Sequence, residues 1–280
     1  MARIVSCLFI ALLFVARAEA QQRPLVTEDP ETVGSGLVLI EGGVDYGHEI
    51  FYPVSGLTGN LLRLPVLGVS FGVSSVAEIQ VDGGFYQRLS VTDRDFAPLS
   101  SLVDFSGDST STVQDLVIGA KIRLVEEDTG RPAIGVRFAT KLPNASNESG
   151  LGLDTMDFFA TFLIGKTVQS IRVVGNGGLA ILSDPVQGDR QNDVLTYGVS
   201  LARAVGSGVE VVGEVNGRVN MREKDVPPGT DSRGAFRVGA RFTHATVRID
   251  GGLIVGMTSR DPSIGFTGGF TWVFRGFTVP

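Results

Sequence analysis

The sequence predicts an all-β fold: a transmembrane up-and-down antiparallel β-barrel of about 12 strands. Apolar residues alternate with small or polar ones from Gly36 almost to the end, the periodicity of strands with two different faces. The alternating runs can cross a bilayer, which takes about 9–11 tilted residues. Long loops are predicted after odd-numbered strands and short turns after even-numbered ones, as in bacterial membrane barrels. A β-sandwich would have shorter strands and no such loop asymmetry.

Residues 1–20 predict a secretory signal peptide. Arg3 gives a positive start, residues 4–15 are apolar, and the A-x-A sequence at 18–20 is a cleavage site. The apolar run is too short for a membrane-spanning helix. Cleavage would remove Cys7, the only cysteine, so the mature chain would have no disulfide, cysteine metal site or cysteine nucleophile.

The charge balance also limits the function. The full chain has a net charge of −6, and removing residues 1–20 leaves 22 basic and 29 acidic residues, net −7. An acidic, exported chain argues against a nucleic-acid partner. The 37 glycines have no collagen period and suit the bends of a curved sheet.

Residues 21–35 (QQRPLVTEDPETVGS) form a polar lead-in that does not alternate. We expect an N-terminal periplasmic segment or partial plug there, with both chain ends in the periplasm. Glu28, Asp29 and Glu31 are its candidate plug residues, because carboxylates bind Arg strongly where water is partly excluded. A disordered tail is the alternative.

The barrel itself is predicted over residues 36–274, and 275–280 form a C-terminal tail. Backbone groups in lipid must all be hydrogen-bonded, so the sheet has to close on itself. The closing strand, SIGFTGGFTWVF, places its aromatic residues on one face. The intervening loops include 47–60 and the longest, 90–112. The twelve strands are predicted at 37–46, 61–73, 76–89, 113–125, 131–142, 154–166, 171–182, 193–205, 209–221, 233–242, 246–256 and 263–274.

Charged residues alternate with the apolar residues that would face lipid. A charge on the lipid face at mid-depth costs about 2–4 kcal/mol for Arg or Lys, so this set is placed in the lumen. It forms either a salt-bridged filling or a polar constriction that selects solutes. The lumen-lining candidates are Glu41, Asp45, Glu78, Asp82, Asp115, Lys121, Arg123, Arg137, Asp157, Arg172, Glu210, Glu214, Arg218, Arg237, Arg241, Arg248 and Asp250.

The outward aromatic residues predict two girdles at the membrane interfaces. One set lies near the long loops: Tyr46, Phe85, Phe138, Phe158, Tyr197, Phe236 and Phe266. The other lies near the short turns: Phe71, Phe242, Trp272 and Phe274.

No catalytic or metal site is expected, and no cofactor. The two histidines, His48 in the first long loop and His244 in a short turn, fall at opposite ends of the predicted barrel. That separation argues against a Ser-His-Asp or His-metal site that uses both histidines. No HExxH motif or phosphate loop is present.

The aromatic terminal strand resembles the closing strand of bacterial outer-membrane barrels. The stretch RPLVTEDPETVG at 23–34, the TKLP sequence at 140–143, GLG at 150–152 and Asp157 are similar to one outer-membrane family. Its members are labelled meta-pathway phenol-degradation or "transporter" proteins. The resemblance implies a channel for small, often aromatic or apolar, organic molecules, and it implies no site residues.

Three function classes therefore follow from the sequence. The first is an outer-membrane channel for passive uptake of small organic solutes. The second is an outer-membrane lipid hydrolase, and the third is a structural or adhesive barrel acting through its external loops. The expected location is the cell outer membrane. The expected partners are outer-membrane lipid, a small-molecule solute and the barrel-assembly machinery. The oligomeric state does not follow from the sequence.

Overall fold

The structure of the protein is a computed structural model that describes residues 22–279, so the predicted signal peptide lies outside the described residues. Fourteen strands and one short 3₁₀ turn at Ser100–Leu102 make up the regular structure. The strands are β1 (Leu37–Tyr52), β2 (Leu57–Gly72), β3 (Ala77–Gly84), β4 (Gln87–Arg94), β5 (Ser109–Thr112), β6 (Leu116–Val125), β7 (Ala133–Leu142), β8 (Asp157–Val168), β9 (Ile171–Ser183), β10 (Gln191–Gly206), β11 (Val209–Asn220), β12 (Arg233–His244), β13 (Val247–Gly256) and β14 (Ile264–Arg275).

The sheet closes on itself because β1 pairs with β2 on one side and with β14 on the other. The β1–β14 ladder is antiparallel and runs from Leu37 opposite Arg275 to His48 opposite Ile264. β3 and β4 each pair with a different half of β2 and together form the third wall strand. β6 and β5 pair with β3 and β4 and form the fourth. The predicted all-β, 12-stranded antiparallel barrel is therefore confirmed.

The two faces of the wall differ as the alternation predicts. On β13, Arg248 is 7% exposed while the next residue, Ile249, is 55% exposed. Phe242 on β12 is exposed and its neighbour Arg241 is buried. An apolar outer face with charged residues inside is the arrangement of a barrel that is solvated by lipid.

Most predicted boundaries agree closely with the strands. The closing strand, predicted at 263–274, is Ile264–Arg275. The hairpin-like dipeptides at 176–177 and 216–217 lie inside the continuous strands β9 and β11. A turn at either place would leave two strands too short to span a bilayer.

The predicted first loop at 47–60 is wrong. β1 continues to Tyr52 and β2 begins at Leu57, so only residues 53–56 connect them. Gly47, which suggested a loop, lies in the wall, where the β1–β2 register shifts between Gly47 and Ile50. A bulge of this kind accommodates glycine within a strand. His48 consequently lies in β1, with Nδ1 2.6 Å from Asn60 Oδ1.

The predicted 90–112 loop is also shorter than expected, because β4 extends to Arg94 and β5 occupies 109–112. The third and fourth wall strands are interrupted beside each other, at 85–86 and 113–115. Pro65 of β2 lies opposite the first break and has no N–H to donate, which removes one ladder hydrogen bond there. Bonds from Leu64 N to Tyr86 O and from Gln114 N to Gly84 O, both 2.9 Å, bridge the interruption.

The connections still divide the barrel into a long-loop end and a short-turn end. The long-loop end carries 95–108, 143–156 and 221–232, and the short-turn end includes the two-residue turns 169–170, 207–208 and 245–246. The predicted alternation is not strict, since 53–56 has four residues and 126–132, on the short-turn side, has seven. Within residues 22–279 there is no helix with the length and apolarity needed to cross a membrane.

Candidate functional site

Residues 22–36, which we call the inner segment, pass through the interior of the barrel. Pro24 and Pro30 and the lack of alternation prevent this stretch from pairing as a strand, so its backbone needs other partners. Side chains of the wall supply them. Glu214 of β11 accepts from the amides of Val26 and Thr27, the latter at 2.8 Å. Asn176 Oδ1 accepts from Glu28 N at 2.7 Å.

The densest charge cluster joins the inner segment to β3 and β6. Lys121 Nζ lies 2.9 Å from Glu28 Oε1 and 3.1 Å from Glu78 Oε1, and it donates to Asp29 O at 3.0 Å. Gln80 Nε2 donates to Glu28 Oε1 at 2.7 Å. The Lys121 side chain is 0% exposed. Its three donors therefore all have partners, which a buried ammonium group requires.

Arg137 of β7 extends this cluster toward the long-loop end. Its Nε donates to Gln80 Oε1 at 2.5 Å, and its Nη2 lies 3.2 Å from Asp82 Oδ2. Glu28 Oε2 is 3.8 Å from Arg137 Nε. The cluster therefore ties β3, β6 and β7 to one residue of the inner segment.

The other two candidate plug residues bind arginines at the short-turn end. Asp29 accepts a bidentate pair from Arg172, at 2.8 Å from Nε and 2.6 Å from Nη2. Glu31 forms an ion pair with Arg123, and Arg172 also pairs with Glu127. Fork-shaped Arg–carboxylate pairs fix orientation as well as charge. Burial alone would raise the pKa of Glu127 in its turn, but the Thr167 amide and Arg172 outweigh it and lower that pKa.

Arg23 holds the start of the inner segment against the opposite wall. Its Nη2 donates to Thr267 Oγ1 at 2.9 Å, its Nε lies 3.5 Å from Asp250, and its Nη1 lies 4.0 Å from Asp45. Arg241 donates from Nε to Arg23 O at 2.7 Å. Arg241 Nη2 donates to the carbonyl of Gln22, so the start of the inner segment contacts the inward face of β12.

The remaining candidates form smaller groups. Glu41 accepts from Arg23 N at 3.4 Å and from Thr271 Oγ1 at 3.1 Å. Glu210 lies 3.6 Å from Arg248 and 4.0 Å from Arg241. Glu214 lies 3.3 Å from Arg237. All of these groups belong to β1 and β11–β14, the side of the wall around Arg23.

Three candidates lie near the long-loop end and do not contact the inner segment. Lys141 Nζ lies 2.7 Å from Asp157 Oδ2 and 3.6 Å from Asp115 Oδ2, and so bridges the two carboxylates. Asp115 also accepts from the amide of Ala145 at 2.8 Å. Arg218 donates to the carbonyls of Asp231 and Gly229. These residues hold the loops 143–156 and 221–232 to the barrel.

Loops also pack over this end of the interior. Leu57, Leu61, Leu89 and Leu151 form an apolar cluster, with Leu89 fully buried. Ser55 Oγ donates to Gly150 O at 2.7 Å, and Thr110 Oγ1 donates to Ser149 O at 2.9 Å. The resulting cap narrows the long-loop entrance.

The sequence did not single out Arg23, Gln80, Asn176 or Thr267. Arg23 enters the sequence analysis only through the family resemblance. Its position as a basic residue beside proline in an acidic lead-in could have marked it as a binding residue. Gln80, Asn176 and Thr267 could not be identified from the sequence, because an inward polar residue of this kind resembles any other polar residue of a barrel strand.

The structure offers no catalytic grouping of histidines. His48 lies near the long-loop end of β1 and His244 ends β12 at the short-turn end, so the two are at opposite ends as predicted but lie in strands rather than in the predicted connections. Among residues 22–279 no group of three or more His, Cys, Asp or Glu side chains could hold a metal ion.

A closed 12-stranded barrel with an apolar exterior and a charged interior defines a class, the integral β-barrels of outer membranes. An outer-membrane channel from Pseudomonas putida F1 has a similar fold, with a TM-score of 0.64 at 14% identity, over 88% of this chain and 98% of that chain. Two further similar structures give lower TM-scores and add no argument. They are the monoaromatic hydrocarbon channel CymD (0.43, 10% identity, 86% and 89% covered) and the Ralstonia pickettii toluene transporter TbuX (0.41, 10%, 86% and 90%). No protein-family model and no curated protein sequence matches the chain.

Proposed function

We propose that the protein is an outer-membrane channel for passive uptake of small organic solutes, with the barrel interior as the path. The observation that carries the proposal is the interior itself, which is closed to lipid, lined by charge and crossed by the inner segment. The similar fold of the Pseudomonas putida channel supports it. Membership in the phenol-degradation family, export through a cleaved signal peptide and insertion by the barrel-assembly machinery remain parts of this proposal.

The inner segment acts in this proposal as a partial plug. A cavity of about 370 Å³ lies on its long-loop side, lined by Gln22, Val26 and Glu28 together with wall residues. A second, of about 290 Å³, lies on its short-turn side beside Leu25 and Asp29. The inner segment separates the two cavities. A solute must therefore pass beside it or displace it.

The lumen-lining residues have two roles in this proposal. The Lys121 cluster and the Asp29–Arg172 pair hold the plug, because charge-assisted hydrogen bonds are the stronger class. Charged side chains that do not bind the inner segment set the electrostatic field that a passing solute meets.

The alternatives have less support. A hydrolase would need a nucleophile and a base close together, whereas His48 and His244 lie at opposite ends and His48 Nδ1 contacts Asn60. An adhesive barrel would be expected to present larger loops than 95–108 or 143–156.

Planar-bilayer conductance and liposome swelling test both parts of the proposal. Deleting residues 22–31 should raise conductance without reducing barrel assembly, and Glu28→Gln/Asp29→Asn/Glu31→Gln should raise it in part. The matched control neutralises three exposed carboxylates, Glu49→Gln/Asp93→Asn/Glu223→Gln, and should leave it unchanged.

The two parts can fail separately. Unchanged conductance in an assembled deletion variant would make the inner segment structural filling only. Absence of solute entry in the wild type and in the deletion variant would overturn the channel.

A further inference from the structure

A separate cavity lies between the inner segment and the long-loop end, against β1, β2, β12 and β13. Its volume is about 270 Å³, just below the range of roughly 300–1,000 Å³ for small-molecule sites. Ile50, Leu61 and Ile254 give it an apolar wall, and Tyr52, Arg63 and Arg233 give it polar groups. Apolar surface with a few convergent polar groups is typical of a ligand site.

Two arginines of this cavity lack the partners that other inward cations have. Lys121, Arg137 and Arg172 each lie within 4.0 Å of a carboxylate. Among residues 22–279, neither Arg63 nor Arg233 has a carboxylate that close. Cations inside a barrel are normally paired, so these two half-buried guanidinium groups, like that of Arg218, are exceptions in the part of the chain that the structure describes.

Buried polar atoms point to the same place. Five buried atoms of the cavity lining have no hydrogen-bond partner within residues 22–279: the donors Arg233 Nε, Arg237 Nε and the Tyr52 hydroxyl, and the acceptors Asp45 Oδ1 and Asn216 Oδ1. Such groups are rare in folded proteins and call for a specific explanation. Here they belong to one cavity.

Two carboxylates, Asp45 and Asp261, also line the cavity, and each has a partner other than Arg63 and Arg233. Asp45 lies 4.0 Å from Arg23. Asp261 accepts from Gly234 N at 2.9 Å and from Thr258 Oγ1 at 2.6 Å. Arg233 is attracted by Asp261 and Asp231 and repelled by Arg63, and an added anion between the two arginines would relieve that repulsion.

We infer that this cavity binds a small organic monocarboxylate with a compact apolar body. The carboxylate lies between the guanidinium groups of Arg63 and Arg233, whose planar forks match its geometry, with the Tyr52 hydroxyl as a further donor. The apolar body contacts Ile50, Leu61 and Ile254. The inference rests on the proposed channel function and deepens it by naming the solute class.

Isothermal titration of the purified, detergent-solubilised protein with sodium benzoate tests the site without requiring transport. We expect saturable binding at least tenfold tighter than that of benzamide, which lacks the charge, and of acetate, which lacks the apolar body. Arg63→Gln/Arg233→Gln should weaken benzoate binding at least tenfold. Arg222→Gln, the same change at an exposed loop residue of the same end, should leave it unchanged.

The possible failures are distinct. Absence of benzoate binding, or equal binding by wild type and Arg63→Gln/Arg233→Gln, overturns the site. Equal affinity for benzamide or acetate overturns the monocarboxylate assignment. Liposome swelling with neutral solutes, measured in parallel, reports on the channel alone, so its failure is separate from failure of the site.

Discussion

Lys121 Nζ of β6 lies 2.9 Å from Glu28 Oε1 of the inner segment and 3.1 Å from Glu78 Oε1 of β3. One fully buried ammonium group thus bridges two carboxylates, one on the wall and one on the chain that crosses the interior. The ion pair explains how an acidic lead-in occupies a membrane barrel, because Lys121 supplies a buried positive charge that the carboxylate of Glu28 needs.

We predict that Lys121→Met destabilises the barrel by about 3–5 kcal/mol, because the buried carboxylates of Glu28 and Glu78 then lose the ammonium group between them. Denaturant unfolding in detergent, followed by the loss of heat-modifiable gel mobility, measures the change. Lys224→Met, at an exposed loop position, is the control and should have little effect. A loss below about 1 kcal/mol, the value of an exposed pair, would contradict the buried role of Lys121.

A disulfide can lock the inner segment to the wall. A Cβ placed on Gly198 of β10 would lie 3.5 Å from Thr27 Cβ, within the roughly 3.5–4.5 Å of disulfides. Cys7 lies in the predicted signal peptide, so cleavage leaves no competing thiol. We expect oxidised Thr27→Cys/Gly198→Cys to lose solute permeation and to recover it on reduction. The single variants are the controls, and permeation through the oxidised double variant would show that the inner segment need not move.

Much of the fold could be predicted from the sequence, because lipid outside and water inside impose strict alternation on every strand. β14 was predicted within one residue at each end. The loop between the first two strands was predicted too long because Gly47, Pro53 and Gly56 suggest a loop, whereas the wall accommodates Gly47 beside a shift of register.

The site was less predictable. The sequence identified both members of the Glu28–Lys121 pair as charged interior candidates but could not pair them. The contact between Arg23 and Thr267 joins residues 244 positions apart, and no local pattern encodes it. The unpaired state of Arg63 and Arg233 follows only from the three-dimensional arrangement.

Trp272, the only tryptophan, tests the girdle at the short-turn end. It is 43% exposed on the outer face, and its ring centroid lies 4.3 Å from that of Phe274. We expect lipids brominated near the glycerol to quench its fluorescence more strongly than lipids brominated near the acyl-chain ends, because tryptophan favours the interface. The reverse order would place this residue at mid-depth and contradict the predicted girdle.

The apolar cap predicts a stability effect at the other end. Leu89→Ala should destabilise the barrel by about 2–5 kcal/mol, because it leaves a cavity among Leu57, Leu61 and Leu151. It should also increase proteolysis within 143–156, which packs on the cluster through Leu151. Leu102→Ala, at an exposed position, is the matched control. Equal stability of the two variants would show that the cap is not tightly packed.

The course of the inner segment constrains the order of assembly. Arg23 bonds to Thr267 of β14 and Val26 to Glu214 of β11, partners 244 and 188 residues further along the chain. These bonds cannot form until the last strands have been made and have met the first. Contacts between residues so far apart in sequence form slowly. The chain loses the conformational entropy of closing a long loop before the contacts can stabilise it. Among the described residues, those synthesised first are therefore among the last to become ordered, once the barrel has closed around them.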